Sequence, residues 1–170
     1  MQNIEIKARL ADPAAVELRV REIGARLEWS RRQRDVFFRV PEGYLKLRIA
    51  EGAAGELIAY RRAAGRDPRP SDYDIAPVAD AVALETVLAR SLGRRGAVEK
   101  TRRLYLWRHT RIHLDEVAGL GAFLELETVV QGISPELAEA ETRELIALLG
   151  LDPADFLDRP YLELLEARGA

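Results

Sequence analysis

The chain of 170 residues predicts an α+β fold built on an antiparallel sheet or barrel, and three observations carry that expectation. About eight segments alternate apolar and polar residues with the two-residue period of half-buried strands. Several are joined by short turn-forming stretches, which favours hairpins over parallel crossovers. The helix-patterned segments do not alternate regularly with strands, as they would in an α/β domain.

Taken in order, "NIEIKARL" (3–10) is a strand with Ile4, Ile6, Ala8 and Leu10 on one face and Asn3, Glu5, Lys7 and Arg9 on the other. Asp12-Pro13 opens a helix that ends at Gly24, with Val16, Leu18, Val20 and Ile23 as its buried positions. "QRDVFFRV" (33–40) and "YLKLRIA" (44–50) form strands on either side of a Pro-Glu-Gly turn, and "ELIAYRR" (56–62) follows. Residues 63–72 read as a loop, with a short strand around Tyr73–Pro77 and a helix over 79–92. Three more strands cover 98–107, 110–117 and 122–130. Ser134-Pro135-Glu136 caps a helix running to Gly150, with Leu137, Leu145, Ile146, Leu148 and Leu149 as its core stripe. A last short helix covers 160–167. No repeat or linker divides the chain, so a single domain over 1–170 is expected.

Composition narrows the chemistry. With 26 basic and 28 acidic residues, there is no basic excess of the kind that marks general nucleic-acid or membrane binders. The absence of cysteine excludes disulfides, thiolate nucleophiles and zinc–thiolate sites. Two histidines, His109 and His113, are too few for a multi-histidine metal site. A bound metal would rest mainly on carboxylates, which suits Mg²⁺ or Mn²⁺. No apolar run approaches a membrane span of roughly 20 residues. The charged N-terminus does not read as a signal peptide, so a cytoplasmic protein is the expectation.

The charged faces of the strands form a pattern. Residues i and i+2 share a face, which groups Glu5 with Lys7, Lys46 with Arg48, and Lys100 with Arg102. Arg62 lies beside Tyr60; Arg111, His113 and Asp115 form another row, and Glu125 pairs with Glu127. A wet sheet face accounts for any one of these rows. Paired cations and a tight E-x-E together point further, because like charges about 7 Å apart repel unless a counter-ion sits near them. If the sheet closes, these rows line its interior, and burying them without partners would be prohibitive. A triphosphate would satisfy the lysines and arginines, and Mg²⁺ or Mn²⁺ held by Glu125, Glu127 and Glu5 would bridge to it.

With those motifs in place, the chain resembles the CYTH-domain proteins of the triphosphate tunnel metalloenzyme superfamily. "NIEIKARL" resembles the family's E-x-E-x-K strand. "QRDVFF", "LKLR", "ELIAYRR", "RPSDY", "VEKTRR" and "RIHLDEVAGLGAFLELE" follow in the family's order. Length and the last segment look closest to the class IV adenylyl cyclase branch. The resemblance implies an eight-stranded antiparallel tunnel with peripheral helices, a triphosphate-bearing small molecule as partner, and Mg²⁺ or Mn²⁺ as cofactor. It also admits a homodimer. Carried over by motif, Lys7, Lys46, Arg48, Arg62, Lys100, Arg102 and Arg111 grip the triphosphate. Glu5, Asp115, Glu125 and Glu127 hold or orient the metal. Lys7 and Arg62 are the catalytic candidates, Lys7 as charge stabiliser or, if its pKa is depressed, as base.

The sequence departs from the motif at Asn3, which stands where the family has its first Glu and removes a charge from the metal site. Arg31, Arg32 and Arg103 read as surface charges, His113 as structural ahead of ligand contact, His109 as part of a turn, and Trp29 and Trp107 as packing residues ahead of base stacking. Gly119 and Gly121 read as turn residues, since no phosphate-loop motif surrounds them. Three activities fit: cyclisation of ATP to cyclic AMP and pyrophosphate; hydrolysis of tripolyphosphate, thiamine triphosphate or a nucleoside triphosphate; and, because of Asn3, binding of a triphosphate or polyphosphate without catalysis.

Overall fold

A computed structural model describes residues 1–62 and 65–169, excluding the side chain of Arg62. Eight strands close into an antiparallel barrel: β1 (Gln2–Arg9), β2 (Arg26–Phe38), β3 (Tyr44–Ala50), β4 (Gly55–Arg62), β5 (Arg69–Val78), β6 (Arg94–Trp107), β7 (Thr110–Val117) and β8 (Gly121–Val129). Their order around the wall is β1-β5-β4-β3-β2-β6-β7-β8. Four helices lie outside or across one end: α1 (Pro13–Glu22), α2 (Ala81–Leu92), α3 (Pro135–Leu148) and α4 (Tyr161–Arg168). Among the described residues no helix is long and apolar enough to cross a membrane.

The hydrophobic core lies between wall and helices, because alternation turns the apolar side of each strand outward. Ile6, Ala8, Ile112, Leu114, Leu124 and Leu126 pack against Val16 and Val20 of α1 and Leu145 of α3. Val36, Phe38 and Leu47 meet Leu84 and Leu88 of α2. The caps follow the sequence: the Asp12 carboxylate accepts from the Ala15 amide at 3.0 Å, and the Ser134 hydroxyl accepts from the Leu137 amide at 3.3 Å. The stripes expected from periodicity are narrower in fact, since Leu18, Leu137 and Leu148 face solvent.

Three strands extend beyond their sequence patterns, β6 among them, which starts at Arg94 and not at 98. Residues 69–72, read as loop, belong to β5, where Pro70 pairs with Ile4 and Ser71 with Asn3; positions 63 and 64 of that loop lie outside the described residues. β2 begins at Arg26, ahead of the alternation that starts at Gln33. The cause is a bulge against β6: Leu27 pairs with Tyr105 and Trp29 with Leu104, so Glu28 is the extra residue. A bulge shifts the side-chain phase across it: Trp29 and Arg31 stay in phase with Gln33 and Asp35 and face into the barrel, while Leu27 falls out of that phase.

The helix α4 plugs one end. Tyr161 and Leu162 pack with Phe37, Val98, Val117 and Phe123 to seal that mouth with an apolar layer. Gly96 makes room for it, since a Cβ there would come within 2.6 Å of Leu162 Cδ1. The opposite mouth, ringed by Trp29, Ala50, Tyr73, Ile75 and Leu104, leads into a cavity of about 340 Å³.

Candidate active site

Seven basic and five acidic side chains line that cavity among the described residues. Barrel closure brings together six of the seven expected basic residues, Lys7, Lys46, Arg48, Lys100, Arg102 and Arg111, with Glu5, Glu125 and Glu127. Asp115 sits behind Arg102, buried against the plug. The seventh basic residue, Arg62, ends β4, and its side chain lies outside the described residues.

The charges form three linked groups. Nearest β3, Asp35 takes Lys46 at 2.9 Å, Arg48 at 3.0 Å and Lys100 at 3.5 Å. Burial opposes ionisation of Asp35, but Arg48, Lys46 and Lys100 overcome it and hold the carboxyl well below its usual range. Burial and the neighbouring Arg102 bring Lys100 down to about 8 despite Asp35 and Asp115. Lys46 is also lowered, chiefly by burial.

In the second group Arg102 forms a fork on Asp115 with two 2.6 Å hydrogen bonds and donates a third, also 2.6 Å, to Glu125. Lys7 reaches Glu125 at 2.8 Å and lies 4.2 Å above the Tyr161 ring. The Tyr161 hydroxyl donates to Asp115 at 2.9 Å, which makes the plug helix the floor of the site. Burial would raise the Asp115 pKa, but Arg102 and Lys100 bring it to about 2.

The third group lies nearer the open mouth. Glu127 accepts from Arg111 at 2.9 Å and stands 3.3 Å from His113 Nε2. Burial and Arg102 lower the His113 pKa, so the ring is neutral near pH 7. Asn3 occupies the expected first-carboxylate position. Its amide fits with the oxygen accepting from Arg111 at 2.9 Å and the nitrogen donating to the Gln2 carbonyl at 3.1 Å.

The donor set has the right chemistry for a hard dication. Glu5 stands directly opposite Glu127 on β8, and Glu125 follows two residues earlier on the same face. Among the described residues no three carboxylates or histidines are yet grouped closely enough to hold an ion. Lys7, Arg102 and Arg111 occupy the carboxylates instead, so metal binding requires those ion pairs to reorganise.

Sequence reasoning missed Asp35 and Tyr161 and took Arg31 and Trp29 for surface and packing residues. Asp35 was open to discovery: in "QRDVFF" it shares a face with Gln33, opposite Val36 and Phe38. Arg31 and Trp29 are half-buried and line the cavity, with the Arg31 guanidinium 5.0 Å from the Trp29 ring. His113 lines it too, while His109 sits in the β6–β7 turn as expected.

A closed antiparallel barrel with ion-paired lysines, arginines and carboxylates inside and helices outside defines a tunnel protein. The CYTH domain family model matches residues 1–161, and the chain belongs to that family. Among solved structures, the PH1012 protein of Pyrococcus horikoshii is 22% identical with a TM-score of 0.87, over 95% of this chain and 98% of that one. A candidate adenylate cyclase of Vibrio parahaemolyticus is 20% identical with a TM-score of 0.77, over 96% and 97%. HpAC1 of Hippeastrum, described as a candidate adenylyl cyclase with a dominant triphosphatase activity, is 17% identical with a TM-score of 0.64, over 92% and 90%. These likenesses establish the shared fold. No curated protein matches.

Proposed function

We propose that this chain is a metal-dependent enzyme that holds the triphosphate of a small molecule inside the barrel and cleaves it, with cyclisation of ATP to cyclic AMP and pyrophosphate as the leading reaction. The observation that carries the reading is the sharing of one carboxylate, Asp35, by Lys46, Arg48 and Lys100. A second Coulombic contact for Arg48, Glu56, is 3.6 Å away, and for Lys100, Asp115, it is 3.9 Å away. Such a local excess of sheltered positive charge is costly without an anion. Arg31 and Arg102 also stand directly opposite one another on β2 and β6, where like charges repel unless an anion lies between them.

In the proposed reaction the ribose 3′-hydroxyl attacks the α-phosphorus and gives up its proton to solvent water at the open mouth, the bond to the bridging oxygen of pyrophosphate breaks, and Lys46, Arg48 and Lys100 stabilise the leaving charge. Lys7 and Arg62 are the catalytic candidates, with Arg102 and Arg111 gripping phosphate oxygens. Glu5, Glu125 and Glu127 would hold Mg²⁺ or Mn²⁺, which when bound neutralises phosphate charge. Asp115 orients Arg102. The HpAC1 description motivates hydrolysis as a second reading, with water attacking the terminal phosphate in the same clamp.

The test incubates purified protein and Mg²⁺ or Mn²⁺ with ATP and, separately, inorganic tripolyphosphate. Cyclic AMP with pyrophosphate supports the leading reading; orthophosphate without a cyclic product replaces it with hydrolysis; no turnover of any triphosphate overturns both. Replacing Glu125 and Glu127 together by Gln should abolish metal-dependent turnover in a folded protein, and unchanged activity would refute their assignment to the metal.

A further inference from the structure

The charged clamp explains what happens to phosphate, yet the open end of the cavity is built differently. The inward face of β2 climbs from Asp35 through Gln33 and Arg31 to Trp29, a span of about 20 Å at 3.3 Å per residue. Over that span the lining changes from charged to aromatic and apolar, with Leu104 paired to Trp29 and Ile75 also lining the cavity. Trp29 keeps the two-residue phase of Arg31, Gln33 and Asp35, and the bulge at Glu28 breaks that phase only beyond it, at Leu27.

Two features of this strip do not suit a bare phosphate chain. The Trp29 ring and the Arg31 guanidinium offer flat faces of the kind on which planar rings stack, and inorganic phosphate has no such surface. Gln33 is buried, lines the cavity, and its Oε1 has no hydrogen-bond partner among the described residues. A buried acceptor left unpaired costs free energy. An ionised phosphate oxygen has no proton to give it, whereas an amino group or sugar hydroxyl does.

We propose that Trp29, Arg31 and Gln33 form the specificity site for the organic part of the substrate, so that the barrel selects a triphosphate ester carrying a planar, hydrogen-bond-donating group, such as a purine nucleoside triphosphate, over inorganic tripolyphosphate. This deepens the proposed function and rests on it. Trp29 and Gln33 determine which molecule enters; they take no part in the phosphate clamp.

The experiment compares ATP and inorganic tripolyphosphate, measuring binding by calorimetry and turnover in the wild-type protein, Trp29→Ala, Trp29→Phe and Gln33→Leu. Loss of one base–aromatic stack weakens binding by roughly tenfold to a hundredfold. Trp29→Ala should therefore raise the ATP dissociation constant and KM by that factor, leaving tripolyphosphate within about twofold. Trp29→Phe, which keeps a flat ring, should recover most of the ATP affinity; Gln33→Leu should weaken ATP alone. Equal losses for both ligands, or none for either, would overturn the assignment. If the wild-type protein binds tripolyphosphate as tightly as ATP, this inference falls and the proposed clamp stands. If it binds neither, the proposed function itself falls.

Discussion

Asp35 is the residue on which the interior charge balances. It is 1% exposed and neutralises part of a group of three cations that would otherwise face one another. Asp35→Asn keeps the shape and removes the charge. We expect a loss of about 3 kcal/mol, the lower end of the range for breaking a buried pair, because Lys46 and Arg48 keep 13% and 18% of their side-chain surface exposed to the cavity. For a chain of this size that is on the order of 10 °C in Tm. Tripolyphosphate should return most of the loss, since it supplies the missing negative charge. A thermal melt with and without it checks both points, and a variant as stable as wild type would show that Asp35 is not the counter-charge. At this scale the sequence was legible wherever charges repeat on one strand, as in Lys46/Arg48 and Glu125/Glu127. It was opaque for Tyr161, whose contact with Asp115 joins residues 46 positions apart.

Among the elements, strands β1, β3, β7 and β8 could be read directly because alternation holds through their central residues, as in Ile4–Ala8, Leu45–Ile49, Arg111–Asp115 and Leu124–Glu127. The first half of β2 could not, because the bulge at Glu28 shifts the phase between Leu27 and Trp29. β5 was read only around Tyr73–Pro77, because in "RPSDYDIAPV" Pro70, Ser71 and Asp72 displace the residues that mark a strand. The helix α4 was read at 160–167, but its place as a plug was not, because an eight-residue helix is positioned by tertiary contacts. That dependence is testable at Gly96. Gly96→Ala would set a methyl 2.6 Å from Leu162 Cδ1, inside the apolar layer that holds the helix. Overpacking of this kind costs roughly 1–3 kcal/mol. We expect faster amide exchange across Tyr161–Arg168, with the barrel strands little changed. Unaltered exchange in α4 would mean that Leu162 yields without the helix moving.

For the whole molecule, the charges proposed to receive substrate also make stability depend on pH. Burial and Arg102 lower the folded pKa of His113, while neighbouring cations overcome burial to lower those of Asp35, Asp115 and Glu125, and His113 and Arg111 do so for Glu127, with Asp115 brought to about 2. Each group then takes up its proton in the unfolded chain first as pH falls. Stability should decline from about pH 6.5, where unfolded His113 begins to charge, and more steeply below about 4.5 as the carboxylates of the unfolded chain protonate. Urea midpoints at pH 7, 5 and 3 check this, and a midpoint that holds steady over that range would mean that the interior carboxylates are not ion-paired. The alkaline side separates stability from binding. Lys100, at about 8, sheds its proton in the folded state before it would in the unfolded chain, so its contribution to stability rises between about pH 8 and 10.5. The same deprotonation removes a cation from the clamp, and linkage of one proton to binding weakens tripolyphosphate affinity by about tenfold per pH unit above 8. Lys100→Arg, which stays charged throughout, should flatten that fall in a calorimetric titration between pH 7 and 9.5. If the wild-type affinity is itself flat over that range, Lys100 does not hold the phosphate.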